Sequence, residues 1–162
     1  MPFMSSFKIQ TFIKNSPEVV FNLSRSIDLH LISTSKTNEK AIAGVITGLI
    51  NLNEWVTWEA NHLFKKRYFT SKITAYNFPF SFTDEMQKGD LKSFSHQHIF
   101  EEKDNGTLMS DIVNLEAPFG LLGKFVMWLF LKNYFKRLLT ERNEVIKAFA
   151  ETEKWKQVLN EK

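Results

Sequence analysis

The last stretch of the chain, residues 121–149, reads as one long helix in which seven apolar residues run consecutively from Phe125 to Leu131. Almost everything between residue 40 and that helix reads as strand. A lone helix this apolar can be hidden only by laying it across a sheet, and a sheet curved around a helix leaves space between the two layers. The order of elements therefore predicts an α+β chain with an interior pocket for an apolar molecule. A membrane-spanning reading fails on length. A span needs about 20 apolar residues, whereas the apolar run from Leu121 is broken by Lys124 and ends near Leu131.

The preceding chain is ordered as such a fold requires. In residues 7–13, Phe7, Ile9, Thr11 and Ile13 alternate with Lys8, Gln10 and Phe12, the period of a half-buried strand. Asn15 or Ser16 then caps a helix with Pro17 in its first turn and Glu18 near the positive end of its dipole. That helix breaks near Ser26, and a second short one runs from Asp28 to about Ser33. Six candidate strands follow at 41–49, 54–61, 66–76, 80–87, 91–101 and 107–116, separated by short turn signals, so neighbours pair as antiparallel hairpins. Gly44 and Gly48 mark bulges or bends in the first of these.

At 162 residues the chain is expected to be one domain spanning residues 1–162. Its sixteen Phe, with four Trp and three Tyr, supply large apolar area on few rotatable bonds, which suits both a core and a ligand cavity. The lack of Cys excludes a disulfide framework, a thiolate metal site and a Cys nucleophile. The net charge of +3 comes without a dense basic stripe, so nucleic acid is not expected as a partner; Lys132, Lys136, Arg137 and Arg142 read as a solvated helix face. Residues 1–8 carry no basic stretch followed by an apolar one, so no signal peptide is read and the cytoplasm is the expected location. Stable membrane insertion is not expected, and nothing in the sequence names a protein partner.

The residues able to carry chemistry cluster in the sixth and seventh strands. His96 and His98 share a strand face with Phe94 and Phe100, so both should point inward. If Glu102 pairs with Thr107 across the next turn, His98 lies opposite Asp111 and His96 opposite Val113. Asp111 shares its face with Met109, Val113 and Leu115 and should also point in. A carboxylate beside an imidazole fixes its tautomer and raises its pKa, making His98 and Asp111 the catalytic candidates. The same pair also suits a satisfied buried contact or a polar anchor for a ligand. The pocket wall is expected to include Trp58, Phe69, Phe82, Asp84, Phe94 and Val113, with Phe125, Trp128 and Leu129 on the helix; Ile73 and Ala75 share the face of Phe69, and Phe80 that of Phe82. His62 near a hairpin mouth and Asp84 could join His96 and His98 around a metal, but no dense ligand motif supports it; neither metal nor cofactor is expected.

Several short segments add a resemblance. Ser16-Pro17-Glu18-Val19-Val20-Phe21 after the first strand is similar to a helix entry common in the START-like superfamily, the helix-grip proteins that include birch-pollen-allergen-like proteins. Val56-Thr57-Trp58-Glu59-Ala60, Thr70-Ser71-Lys72-Ile73-Thr74, Phe82-Thr83-Asp84-Glu85, His96-Gln97-His98-Ile99-Phe100 and Gly106-Thr107-Leu108-Met109-Ser110-Asp111 resemble a bacterial branch labelled "cyclase/dehydrase" or "cell division inhibitor". The resemblance covers nearly the whole chain. It implies a curved antiparallel sheet of about seven strands, two short helices after the first strand, and a long C-terminal helix enclosing a cavity. It also implies one of three roles. The chain binds a lipid-like or polycyclic molecule as a carrier or sensor. Alternatively it is a polyketide cyclase- or dehydratase-like enzyme in which His98, oriented by Asp111 and assisted by Tyr68 or Tyr76, abstracts a proton. In the third, ligand occupancy regulates a protein partner.

Overall fold

The structure, a computed structural model, describes residues 5–62, 64–118, 120–126 and 130–160. Strand β1 (Ser5–Ile13) leads into helices α1 (Pro17–Ser24) and α2 (Ile27–Ser33). Strands β2 (Lys40–Gly44), β3 (Trp55–His62), β4 (Lys65–Asn77), β5 (Ser81–Lys88), β6 (Ser93–Lys103) and β7 (Gly106–Glu116) follow, then helices α3 (Gly120–Val126), α4 (Lys132–Ala150) and α5 (Lys154–Leu159). All seven strands form one antiparallel sheet in the order β1-β7-β6-β5-β4-β3-β2. From β2 to β7 each neighbour in sequence is thus a neighbour in the sheet, whereas β1 and β2 lie at opposite edges and β7 pairs with β1. This is the expected helix-grip α+β architecture. No helix among the described residues is long and apolar enough to cross a membrane.

Local chemistry explains the element boundaries. Ser26 breaks the first helical stretch because its side chain accepts the amide of Leu29, capping α2 at 3.2 Å. Asn15 does not cap α1 directly; its amide donates to Ala150 O at 2.7 Å and ties the chain entry to the end of α4. One strand boundary needs correcting. The strand expected at 41–49 stops at Gly44, where φ is +78° and a Cβ would stand 2.1 Å from Trp55 O. Only glycine fits that turn away from the ladder. Among the described residues the final helical stretch comprises α3, a π-helical turn at Phe130 and Leu131, and α4 to Ala150, with α5 set off beyond it.

The core forms where α1 and α4 meet the concave sheet face. Thr11 and Ile13 of β1, Met109 of β7 and Ile146 and Ala150 of α4 are all buried, as the strand alternation and the i, i+4 spacing require. Phe21 is fully buried, with the rings of Tyr76, Phe78, Phe82 and Phe100 at 5.1–5.2 Å, three of them edge-on. One helical side chain therefore joins α1 to β4, β5 and β6. A bulge between Ile73 and Ala75 reverses the alternation of β4, which is why Ala75, expected on the concave face beside Phe69 and Ile73, is exposed. Phe80, expected beside Phe82, precedes β5 and is 59% exposed.

Phe21→Ala is expected to lower stability by about 3–5 kcal/mol, while Phe80→Ala should change it by less than about 0.5 kcal/mol. Denaturant unfolding of the two variants beside the parent checks the contrast; similar losses would place the aromatic hub elsewhere.

Candidate functional site

Between the sheet and the helices lies a cavity of about 660 Å³, within the range of small-molecule sites. Its walls are mostly apolar: Ile27 from α2; Val56, Trp58 and Ala60 from β3; Phe69 and Ile73 from β4; Phe82 from β5; Phe94 from β6; and Phe135, Leu138 and Leu139 from α4. Leu122 and Val126 of α3 also line it. Two polar clusters interrupt this wall, and together they contain all four histidines of the chain.

The first cluster forms where β5, β6 and β7 lie side by side. The register is Glu102 opposite Thr107, which sets His98 against Asp111 and His96 against Val113. On the other side, Asp84 of β5 pairs with His96 and Phe82 with His98. Period-two alternation thus sends Asp84, His96, His98 and Asp111 to the concave face. His96 Nε2 donates to Asp111 Oδ1 at 2.7 Å, and His98 Nε2 donates to Asp84 Oδ2 at 3.0 Å. His98 Nδ1 lies 3.1 Å from Asp111 Oδ1 but off the line of a hydrogen bond, so this buried atom has no hydrogen-bond partner. The closest partner of Asp111 is therefore His96, a correction to the expected His98–Asp111 pair; His96 reaches it diagonally across the strands.

Helix α4 closes the cluster from above. Asn143 Nδ2 donates to Asp111 Oδ2 at 2.6 Å and to Thr11 Oγ1 at 3.3 Å. Arg142 is buried, not solvated as its basic neighbours suggest; its guanidinium donates to Ser24 O at 2.7 Å and to Asn143 Oδ1 at 3.4 Å. Burial pushes the Asp111 carboxyl up, but the hydrogen bond from His96 and the nearby charges of His96 and His98 outweigh it and hold Asp111 well below the usual range. Burial and the neighbouring His98 lower His96. Burial also works against a charge on His98, yet the carboxylates of Asp111 and Asp84 raise its pKa. With the rings 3.8 Å apart, each imidazole disfavours charge on the other, and the carboxylates favour it on His98 over His96.

The second cluster lies at another part of the cavity wall. Glu39, just before β2, takes His30 Nε2 at 2.5 Å and stands 3.4 Å from His62 Nε2. His62 Nδ1 then accepts from the Tyr134 hydroxyl of α4 at 2.7 Å. His30 stacks on Trp58 with ring centroids 4.1 Å apart. Burial raises the Glu39 carboxyl, but the charges and hydrogen bonds of His30 and His62 prevail and bring it to about 2.

The positions expected at the site meet different outcomes. Trp58, Phe69, Phe82, Asp84, Phe94, His96 and His98 line the cavity. Asp111 has no exposure and stands behind the two histidines. Val113 is buried one strand further over, with Phe7, Ile9 and Leu115, packed against Phe135 and Leu139, which take the wall in its place. Phe125 is 58% exposed and outside the cavity, because Leu122 and Val126, four apart, set the inward stripe of α3. Trp128 and Leu129 lie outside the described residues. Tyr68 lines the cavity, whereas Tyr76 packs on Phe21. Sequence reasoning missed Glu39, His30, Tyr134 and Asn143. Arg142 and Asn143 had a readable signal, since they fall between Leu139 and Ile146 on the inward stripe of α4. Glu39 had none.

Depressed carboxylates make stability depend on acid. Asp111 and Glu39 contribute stability that is present above their unfolded pKa values and lost as pH falls toward the folded ones. For Glu39 the shift from 4.5 to about 2 corresponds to roughly 3 kcal/mol. Raised His98 acts in the opposite sense: its contribution is full below the unfolded imidazole value and lost as pH rises through the folded one. Denaturant unfolding at about pH 6 and about pH 3 should show a large acid loss in the parent. Glu39→Gln should lose less between the two, and an equal loss would remove Glu39 from the account.

No family model and no curated protein sequence matches the chain. Solved structures do. The protein TTHA0849 from Thermus thermophilus superposes with a TM-score of 0.69 at 15% identity, covering 89% of this chain and 98% of that one. Major latex-like protein 151 from Panax ginseng gives 0.68 at 15% identity, covering 92% and 99%. Ara h 8.0201 gives 0.66 at 14% identity, covering 91% and 98%. At such identities the likeness shows architecture alone, and the architecture is the helix-grip fold of the START-like, birch-pollen-allergen-like proteins.

Proposed function

We propose that the chain, acting as one domain over residues 1–162, binds an apolar small molecule, lipid-like or polycyclic, as a carrier or sensor. The observation that carries this reading is a cavity of about 660 Å³ with aromatic and aliphatic walls and a buried polar cluster on its sheet side. Apolar burial supplies affinity, while Asp84, His96 and His98 orient whichever end of the ligand can hydrogen-bond. Such a ligand has an apolar body and one oxygen-bearing end.

Native mass spectrometry followed by organic extraction tests for a retained molecule, and a fluorescent hydrophobic probe tests the empty protein. Ala60→Phe places a ring in the cavity from the middle of β3. It should weaken the probe at least about tenfold, near 1.4 kcal/mol. Absence of both a retained molecule and any probe binding would sink the proposal.

One observation favours a second reading, an acid–base enzyme of the cyclase or dehydratase type. Burial and His98 disfavour charge on His96, and its Nε2–H donates to Asp111, which leaves Nδ1 free to accept a proton. The base is then His96, whose pKa is lowered, rather than His98, whose pKa is raised. Bound ketones should exchange their α-protons in deuterium oxide, and His96→Gln should abolish the exchange. No exchange with the parent protein, across ketones that it binds, would leave binding as the sole activity.

A further inference from the structure

In place of the metal-free cluster expected from sequence, we propose that Asp84, His96 and His98 form a site for a divalent first-row transition ion, of the zinc or iron(II) class. One donor atom from each of the three lies within 4.8 Å of the others. Asp84 Oδ2 is 3.0 Å from His98 Nε2 and 3.8 Å from His96 Nδ1. Metal bonds of about 2.1 Å at tetrahedral angles separate donors by about 3.4 Å. The two distances bracket that value, so small side-chain rotations bring the donors onto a common centre.

The groups behind the donors make the case stronger than proximity alone. A metal-bound imidazole usually donates its other ring N–H to a carboxylate, which fixes the tautomer and the ring plane. Asp111 offers this to both histidines. His96 Nε2 already donates to its Oδ1 at 2.7 Å, leaving Nδ1 free for a metal. His98 Nδ1, 3.1 Å from the same oxygen, is the one buried side-chain polar atom without a hydrogen-bond partner among the described residues. With a metal on Nε2 the His98 proton sits on Nδ1, and a small ring rotation directs it at Asp111. The metal-bound arrangement thus satisfies the atom left unpaired without it. Asn143 and Thr11 in turn hold Asp111 and its helix neighbour in place. The charge count agrees once the ion has displaced the extra proton that His98 favours: two carboxylates, Asp84 and Asp111, then face one fixed cation, Arg142, and the site is net negative.

Two imidazoles and one carboxylate suit zinc and iron(II). Three protein donors leave coordination positions open, as in sites that bind or transform a ligand rather than only brace a fold. Asp84, His96 and His98 all border the cavity, so the open positions face it. An oxygen donor such as a carbonyl, hydroxyl or carboxylate would occupy them. The assignment does not depend on the apolar-ligand reading, because the ion alone is enough to test it.

The test is titration of tag-free, metal-stripped protein with Co²⁺, followed by displacement with Zn²⁺. The expected result is one tightly bound equivalent with an intense visible d–d band that Zn²⁺ removes. Asp84→Asn should weaken Co²⁺ by at least about 100-fold, and Asp111→Asn, which touches no metal, by about 10–100-fold. Circular dichroism establishes that each variant is folded. Should the variants fail to fold, X-ray absorption of the cobalt-loaded parent decides: two imidazole nitrogens in the coordination shell are expected. No stoichiometric binding by the parent would overturn the site, as would undiminished binding in folded Asp84→Asn or a shell without imidazole. Hydrophobic-probe binding that survives any of these failures leaves the cavity reading intact.

Discussion

The Asp111 carboxylate has no solvent exposure, and the arrangement of sheet and closing helix turns on how its oxygens are satisfied. A buried carboxylate left unpaired costs several kcal/mol. Asn143 on α4 covers one oxygen and His96 on β6 the other. These contacts tie the helix to the sheet at one height and one rotation, which apolar packing alone does not specify. Ile146 and Ala150 continue the contact toward the end of the helix, where Lys147 donates to the Phe12 carbonyl of β1 and Asn15, just after β1, donates to the Ala150 carbonyl. Toward the start of α4 the side chains are only partly buried, and Tyr134, Phe135, Leu138 and Leu139 become cavity wall. The helix is thus anchored at one end and stands over open space at the other.

That geometry explains how a cavity persists in a chain so rich in aromatics. Collapse of α4 onto the sheet would bring apolar side chains against Asp84, His96 and His98 and strip them of partners, a penalty that grows with each unpaired group. Burying Arg142 adds a second obstacle, because its guanidinium is held by the carbonyl of Ser24 at the end of α1. The helix pair and the sheet are therefore propped apart by polar groups already satisfied where they stand. The second cluster does similar work elsewhere on the wall. Glu39 holds His30 of α2 and His62 of β3, and His62 holds Tyr134 of α4.

The fold was legible in the sequence because its signals are periodic and long. The alternation of β1, the shared face of Phe94, His96, His98 and Phe100, and the turn at Lys103 to Gly106 carried the strand order and even the register of β6 on β7. The site was legible where strand alternation decides direction. It failed where a different rule took over. Phe125 belongs to a helix whose inward stripe is set by its neighbours, and Ala75 follows a bulge that local sequence does not announce. Which partner Asp111 takes was beyond alternation altogether, since both histidines sit on its face and the choice rests on ring direction. Glu39, the acid of the second cluster, lies in a connection with no period at all, and only the folded chain brings it to His30 and His62.

The two polar clusters differ in what they leave for a ligand. Around Glu39 the heteroatoms are matched: carboxylate to imidazole, imidazole to phenol. A ligand gains little there by hydrogen bonding and meets mainly the stacked faces of His30 and Trp58. At Asp84, His96 and His98 the matching is incomplete, with His96 Nδ1 held 3.8 Å from Asp84 and His98 Nδ1 without a partner. On the proposed reading, an occupant of the cavity would place its polar end against β5 and β6, with its apolar length along Trp58, Phe69 and Phe82. A pure hydrocarbon would leave the Asp84 side of the cavity desolvated with nothing in exchange, so on that reading chemical selectivity would reside in three side chains of the sheet, while the aromatic wall would set only size.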